Sequence, residues 1–141
     1  MINHFTEKIP STPAAATLLL QNALQWYHTL QQEKAANENS PHSTEESLYT
    51  FRLALDELLT NAIDHGNCGS PSAAVTVRIE YRDGKILISV HDEGAGFHAA
   101  DLPDPRREEN RFSRHGRGLY ILNALGDVRW DGERGCVRVE L

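Results

Sequence analysis

The sequence predicts a two-layer α/β sandwich in which helices cover one face of a mixed, mostly antiparallel sheet of about five strands. Three observations predict this fold. Segments with helical spacing occupy most of the chain before residue 66, segments with two-residue alternation follow, and Asp-Gly pairs at 83–84 and 131–132 mark two hairpins. The length of 141 residues and the 40% hydrophobic content suit one domain, residues 1–141, with a single core.

The charge balance narrows the possible partners. The chain has 14 basic and 20 acidic residues and a net charge of −6, which disfavours nucleic-acid binding because phosphate contacts need a basic face. Two cysteines, Cys68 and Cys136, are too few for a disulfide framework or a four-cysteine zinc site, so we expect a reduced, cytoplasmic protein. No apolar run approaches the ~20 residues of a membrane span, and no signal peptide is recognisable.

The first half of the chain reads as one short strand and two helices. Residues 3–9 form the strand, and Thr12 followed by Pro13 predicts a helix start with Thr12 as the N-cap. A polar loop over 35–42 separates this helix from a second one, which runs to about Asp64 and ends at Gly66. Residues at helical spacing predict the buried stripes: Ala16, Leu19, Ala23, Tyr27 and Leu30 in the first helix, and Leu48, Phe51, Leu55, Leu59 and Ala62 in the second.

The second half reads as two hairpins and a third helix. Alternation over 75–82 and 85–92 predicts a hairpin around Asp83-Gly84. A long loop follows, and residues 116–125 predict a helix that ends at Gly126. A closing hairpin pairs residues 128–130 with residues 136–141.

The first candidate site feature lies on the second helix. Glu57 and Asn61 are four residues apart and therefore neighbours on one helix face, nearly opposite the apolar stripe, with Asp64 beside them. A solvated helix face explains this segment equally well. The functional interpretation is a carboxylate base beside an amide oxygen that binds Mg²⁺, which needs only one or two protein ligands when phosphates supply the rest.

The second feature is Asp92, which shares a strand face with Ile86, Ile88 and Val90 and is followed by Gly94 and Gly96. A carboxylate at the rim of the core needs a hydrogen-bond donor, because burying it unpaired costs several kcal/mol. The donor could be a helix end or an arginine, or it could be the exocyclic amine of a ligand. In the second case the two glycines let the backbone approach a flat ligand closely.

The third feature is the glycine-led helix start at 116–119. Two glycines there expose backbone N–H groups at a helix N-terminus, which is a ready anion site. The preceding loop carries arginines at 106, 107, 111 and 114, and its length exceeds the ~12–15 residues typical of a plain connection. An ordinary loop before an ordinary helix is the alternative; a mobile, arginine-rich lid over phosphates is the functional interpretation.

Taken together, the three features resemble the GHKL ATPase superfamily, and within it the stand-alone anti-sigma-factor serine/threonine kinases. The matching stretches are LDELLTNAIDHG at 55–66, DEGAGF at 92–97 and GRGLYI at 116–121. The resemblance covers roughly residues 50–125. It implies a Bergerat-type ATP-binding fold and the cofactors ATP and Mg²⁺.

The resemblance also implies individual roles. Glu57 matches the catalytic base, Asn61 the Mg²⁺ ligand and Asp92 the residue that recognises adenine. The region 97–115 corresponds to the ATP lid. The implied nucleotide-binding residues are Asn61, Asp64, Asp92, Gly94, Gly96, Arg114, Gly116, Arg117, Gly118 and Leu119.

The resemblance implies partners as well. In such kinases the substrate is a seryl or threonyl hydroxyl of an anti-sigma-factor antagonist, the protein held in check is a sigma factor, and the kinase is often a homodimer. Two alternatives stay open. The chain could be a non-catalytic ATP-binding switch that regulates a partner such as a phosphatase or response regulator, or the ATPase subunit of a larger machine. The latter is disfavoured because no transducer domain follows in this sequence.

Overall fold

Five antiparallel strands form one sheet in the computed structural model, which describes residues 3–37, 45–67, 70–94, 121–131 and 135–141. The elements in chain order are β1 (His4–Pro10), α1 (Pro13–Asn37), α2 (Glu45–Asn61), a π-helix (Ala62–Gly66), β2 (Ala74–Arg82), β3 (Lys85–His91), β4 (Asp127–Asp131) and β5 (Cys136–Glu140). Residues 121–125 are also helical. The predicted α/β class and the number of strands are confirmed.

The strand order is β1-β2-β3-β5-β4, and every pair of neighbours is antiparallel. The β2–β3 hairpin turns through Asp83 and Gly84, whose φ angles of 54° and 80° are the left-handed values that a two-residue turn requires. The strand pairing of both predicted hairpins is confirmed, and residues 132–134 in the second turn lie outside the described residues. The insertion of β5 between β3 and β4 brings the start of β5 beside the end of β3, where His91 pairs with Cys136.

Apolar side chains of α1 and α2 pack against the inward face of the sheet and form the core. Tyr27 of α1 stacks on Phe51 of α2 with ring centroids 4.6 Å apart, and Trp26 joins Phe51 to Phe5 of β1. The side chains of Val75, Val77, Ile79, Ile88 and Val139 complete the core from the strands, each at most 1% exposed. This packing fixes α2 over the central strands.

The predicted start of α1 is confirmed, because the Thr12 hydroxyl accepts a hydrogen bond from the Ala15 N–H at 3.2 Å. The helix continues to Asn37, three residues into the stretch predicted as loop. Leu48 was predicted in the buried stripe but is 42% exposed, since it lies in the first turn of α2.

The second helix does not continue as an α-helix to Asp64. Its α-helical part ends at Asn61, and a π-helix carries the chain to Gly66, closed by the hydrogen bond from the Asn67 N–H to the Ala62 carbonyl at 2.8 Å. The helix over 121–125 ends at Gly126 as predicted. Across the described ranges, no helix is both long enough and apolar enough to cross a membrane.

Candidate functional site

Asp92 lies immediately after β3, in a turn that hydrogen bonds hold on both sides. Its backbone N–H donates to the Gly135 carbonyl at 2.9 Å, next to the start of β5. Its carboxylate oxygen Oδ1 accepts the Gly94 N–H at 2.8 Å. The carboxylate is half-buried, as the sequence predicted for a strand end at the rim of the core.

Three glycines from separate parts of the chain surround this carboxylate. A Cβ placed on Gly66 would overlap Asp92 Oδ2, and one placed on Gly135 would overlap Oδ1. A Cβ on Gly94 would overlap the Gly66 carbonyl oxygen. Only residues without a side chain fit these three positions in this arrangement, and they leave backbone as the wall of the site.

Burial raises the pKa of the Asp92 carboxyl above its ordinary value by disfavouring the ionised form. The hydrogen bond from Gly94 and the charge of His91 oppose that rise. Oδ2 accepts no hydrogen bond from any residue that the structure describes. A half-buried carboxylate with an open acceptor suits a ligand that brings its own N–H donor.

Glu57 and Asn61 lie on one face of α2, four residues apart, and both are half-buried. The sequence placed them nearly opposite the apolar stripe, and this was wrong: Asp56 and Thr60 occupy the exposed positions. The buried face of α2 is wider than the predicted stripe because Leu58, 1% exposed, belongs to it. The pair therefore lies at the border of the core, where a carboxylate and an amide are partly shielded from water.

The π-helix that follows this pair ends beside the Asp92 turn. Asn61 is the last residue of α2, and its side chain makes no capping hydrogen bond to the π-helix that follows. The π-helix ends at Gly66, against the Asp92 carboxylate. One continuous segment thus carries the candidate base, the candidate metal ligand and one wall of the carboxylate site.

Asp64 is exposed in the π-helix. It lines a groove of about 240 Å³ together with Asp56, Thr60 and the first turns of α1. Neither Glu57 nor Asn61 lines this groove. The role of Asp64 toward a ligand stays a prediction.

The remaining predicted positions lie outside the described residues. These are the lid region 97–115 and the residues Gly96, Arg114, Gly116, Arg117, Gly118 and Leu119.

Sequence reasoning missed two residues of the site. Gly135 follows the second Asp-Gly pair and looks like part of an ordinary turn, and only the β3–β5 pairing brings it to Asp92. Asn67 follows Gly66, which the sequence marked only as a helix stop, and its side chain accepts the Glu93 N–H at 2.8 Å. A polar residue directly after a helix-ending glycine was the available signal.

Comparison with known proteins agrees with the family that the sequence motifs resemble. The sequence pattern of the histidine kinase-like ATPase domain family matches residues 10–141. Over 88 residues the chain is 28% identical to the anti-sigma F factor of Geobacillus stearothermophilus, covering 60% of this chain and 59% of that protein. It is 30% identical over 83 residues to the anti-sigma F factor of Shouchella clausii, covering 56% of each.

A third relative carries a kinase name. Over 83 residues the chain is 28% identical to the serine-protein kinase RsbW of Bacillus licheniformis, covering 55% of this chain and 52% of that protein. These matches span between about half and three fifths of the length of the relatives.

Proposed function

The chain belongs to the histidine kinase-like ATPase domain family, and on that premise we propose that it is an ATP-dependent serine/threonine protein kinase acting as an anti-sigma factor. Its substrate is a seryl or threonyl hydroxyl of an anti-sigma-factor antagonist, and it sequesters a sigma factor as a cytoplasmic homodimer. The observation that carries the proposal is the half-buried Asp92 carboxylate enclosed by glycines, one of which, Gly66, ends the segment that bears Glu57 and Asn61.

The carboxylate site fits an adenine base. Asp92 Oδ2 is an acceptor for the exocyclic amine of adenine, and Gly66, Gly94 and Gly135 leave no side chain in the way of a flat ring. Guanine presents a carbonyl oxygen at the corresponding position, which the carboxylate repels. A hydrogen bond to a charged group contributes about 1.5–3 kcal/mol, so we expect ATP to bind roughly 10–150-fold more tightly than GTP.

The α2 pair fits the phosphate end of the same nucleotide. The Asn61 amide oxygen is a ligand type that Mg²⁺ accepts, and one such ligand suffices when phosphates and water supply the rest. Mg²⁺, when bound, neutralises charge on the phosphates. The glycines at 116 and 118, with Arg114 and Arg117, are proposed to contact the phosphates, because exposed backbone N–H groups and guanidinium groups both bind anions.

Glu57 is the proposed general base. A carboxylate four residues before the metal ligand lies on the same helix face and can accept the proton of an attacking hydroxyl. Its half-buried position limits competition from water for that proton. The relative named as a serine-protein kinase supports this direction of chemistry.

The test pairs nucleotide affinity with single-turnover transfer of the γ-phosphoryl group to an antagonist protein. Glu57→Gln keeps the shape and removes the acceptor charge, so it should bind Mg-ATP nearly as well as wild type while transfer falls at least ~100-fold. Asn61→Ala should instead weaken the Mg²⁺-dependent part of ATP binding. Asp56→Asn, on the exposed side of the same helix, is the matched control and should change neither quantity.

Transfer at the wild-type rate by Glu57→Gln would remove Glu57 from the base role. Nucleotide binding by the wild type without transfer to any antagonist would favour the other candidate, a non-catalytic switch that responds to ATP.

A further inference from the structure

Asn67 is a buried polar residue whose side chain and backbone both make hydrogen bonds. It is 6% exposed, and it follows the π-helix directly. Its backbone N–H donates to the Ala62 carbonyl at 2.8 Å, and its carbonyl accepts the Ser70 N–H at 2.9 Å. Its side-chain Nδ2 donates to the Ala74 carbonyl at 3.0 Å, and Oδ1 accepts the Glu93 N–H at 2.8 Å. One side chain therefore joins the end of the π-helix, the start of β2 and the turn after β3.

The turn after β3 depends on three consecutive N–H groups. The Asp92 N–H is held by the Gly135 carbonyl, the Glu93 N–H by Asn67 Oδ1, and the Gly94 N–H by Asp92 Oδ1. The first is a backbone–backbone bond, and the third is internal to the turn. The Asn67 bond is the only one of the three that comes from the side chain of another element.

The bond between the Glu93 N–H and Asn67 Oδ1 affects the orientation of the Asp92 carboxylate. With Oδ1 occupied by Gly94 and Oδ2 packed against Gly66, the orientation of the carboxylate follows the backbone of the turn. Loss of the Asn67 side chain would leave the Glu93 N–H and the Ala74 carbonyl without their partners in part-buried surroundings, and the turn would move to find new ones.

We propose that Asn67 is a positioning residue for base recognition, which holds the Asp-Glu-Gly turn so that Asp92 Oδ2 faces the exocyclic amine of adenine. The inference rests on the proposed function, since it assumes that Asp92 reads the base. An amide is the side chain that supplies one donor and one acceptor at this length without adding charge. Aspartate at this position would lose the donor to Ala74 and place a second negative charge beside the turn.

The experiment measures the preference for ATP over inosine triphosphate, which has a 6-oxo group in place of the 6-amino group. Wild type should prefer ATP. In Asn67→Ala the affinity for ATP should fall more than that for inosine triphosphate, so the preference narrows by about tenfold, because a misplaced acceptor loses most of a charge-assisted hydrogen bond. A general loss of stability would lower both affinities together and leave the ratio unchanged.

The matched control is Ile79→Ala, a cavity variant in the middle of β2, where the side chain is 0% exposed. It should lower stability and keep the wild-type ratio. All measurements are made where circular dichroism shows that the variants are folded. If Asn67→Ala does not fold, Asn67→Ser replaces it, because its shorter hydroxyl cannot reach both partners and leaves a smaller cavity.

A double-mutant cycle with Asp92→Asn completes the test. Once the carboxylate is gone, Asn67→Ala should change the ratio no further. A wild-type protein that binds the two nucleotides equally would overturn the proposed role of Asp92 itself. A wild-type preference for ATP that persists unchanged in Asn67→Ala would overturn the positioning role alone.

Discussion

The half-buried carboxylate of Asp92 offers an acceptor to a ligand, and the same burial lowers the stability of the unliganded protein when the carboxylate is ionised. Burial raises the pKa of its carboxyl, so the ionised form is held at a free-energy cost in the unliganded fold. The pKa of this carboxyl is higher in the folded protein than in the unfolded chain. At pH values between these two pKa values, the folded protein therefore binds more protons than the unfolded chain. The contribution of this group to the free energy of unfolding therefore falls as pH rises through that window, which starts near the ordinary value of 3.8.

Asp92→Asn should consequently have a higher free energy of unfolding than wild type above the raised pKa, and the gain should vanish as pH falls to the ordinary value. The asparagine oxygen can still accept the Gly94 N–H, so the turn is preserved. Urea unfolding between about pH 4 and pH 7 measures the difference. Asp83→Asn, at the exposed hairpin turn, is the control. The same pH dependence in both variants would show that burial of Asp92 is not its source.

Gly66 allows a test of the carboxylate site from its opposite wall. Gly66→Ala places a methyl group where Asp92 Oδ2 lies, so the carboxylate must move. We expect a loss of about 1–3 kcal/mol in the free energy of unfolding, as for other overpacked positions, together with weaker ATP binding. Gly84→Asn is the control, because open space surrounds Gly84 and asparagine tolerates its positive φ. Unchanged stability and ATP binding in Gly66→Ala would contradict the packing described here.

The N-terminus of α1 is a case in which sequence and structure agree closely enough to predict an energy. Thr12→Ala removes the acceptor of the Ala15 N–H and should lower the free energy of unfolding by about 0.5–2 kcal/mol. Thr17→Ala removes an exposed hydroxyl that donates to the Pro13 carbonyl of the same helix, and should change stability by less than about 0.5 kcal/mol. Denaturant unfolding distinguishes the two. Equal losses would mean that Thr12 does not act as a cap.

The end of α2 shows why part of the site could not be read from the sequence. Apolar spacing predicts a helix to about Asp64 because a period of 3.6 residues is all that such a pattern reports. The π-helix over Ala62–Gly66 changes that period within one turn, and its closure depends on the partners that Asn67 finds in β2 and beyond β3. Those partners are distant in sequence, so no local signal contains them.

The sheet likewise contains contacts between residues distant in sequence, which local sequence patterns do not predict. Each hairpin was predictable, because two-residue alternation and an Asp-Gly turn are local signals. The β3–β5 pairing joins residues about fifty positions apart, and it is this pairing that brings Gly135 to Asp92. The motif resemblance identified Asp92 and Gly94 without knowledge of this pairing, because both residues belong to one short stretch of sequence. The surrounding glycines are assembled only by the complete fold.

If Asp92 binds adenine in the folded state only, nucleotide should stabilise the whole protein. A ligand at about one hundred times its dissociation constant adds about 2.7 kcal/mol to the free energy of unfolding. For a chain of this length each kcal/mol raises Tm by roughly 4 °C, so saturating Mg-ATP should raise Tm by about 10 °C. GTP at the same concentration should give a much smaller shift, since the carboxylate repels its carbonyl oxygen.

Two variants distinguish the contribution of the base to this Tm shift from the contribution of the Mg²⁺-bound phosphates. Asp92→Asn should lose most of the ATP-induced shift with or without Mg²⁺, because the lost contact is to the base. Asn61→Ala should lose only the part of the shift that depends on Mg²⁺, because its proposed partner is the metal. Calorimetry of wild type and both variants, with ATP, GTP and no nucleotide, measures all of these shifts. A wild-type Tm that ATP and GTP raise equally would show that Asp92 does not select the base, even if the protein binds nucleotides.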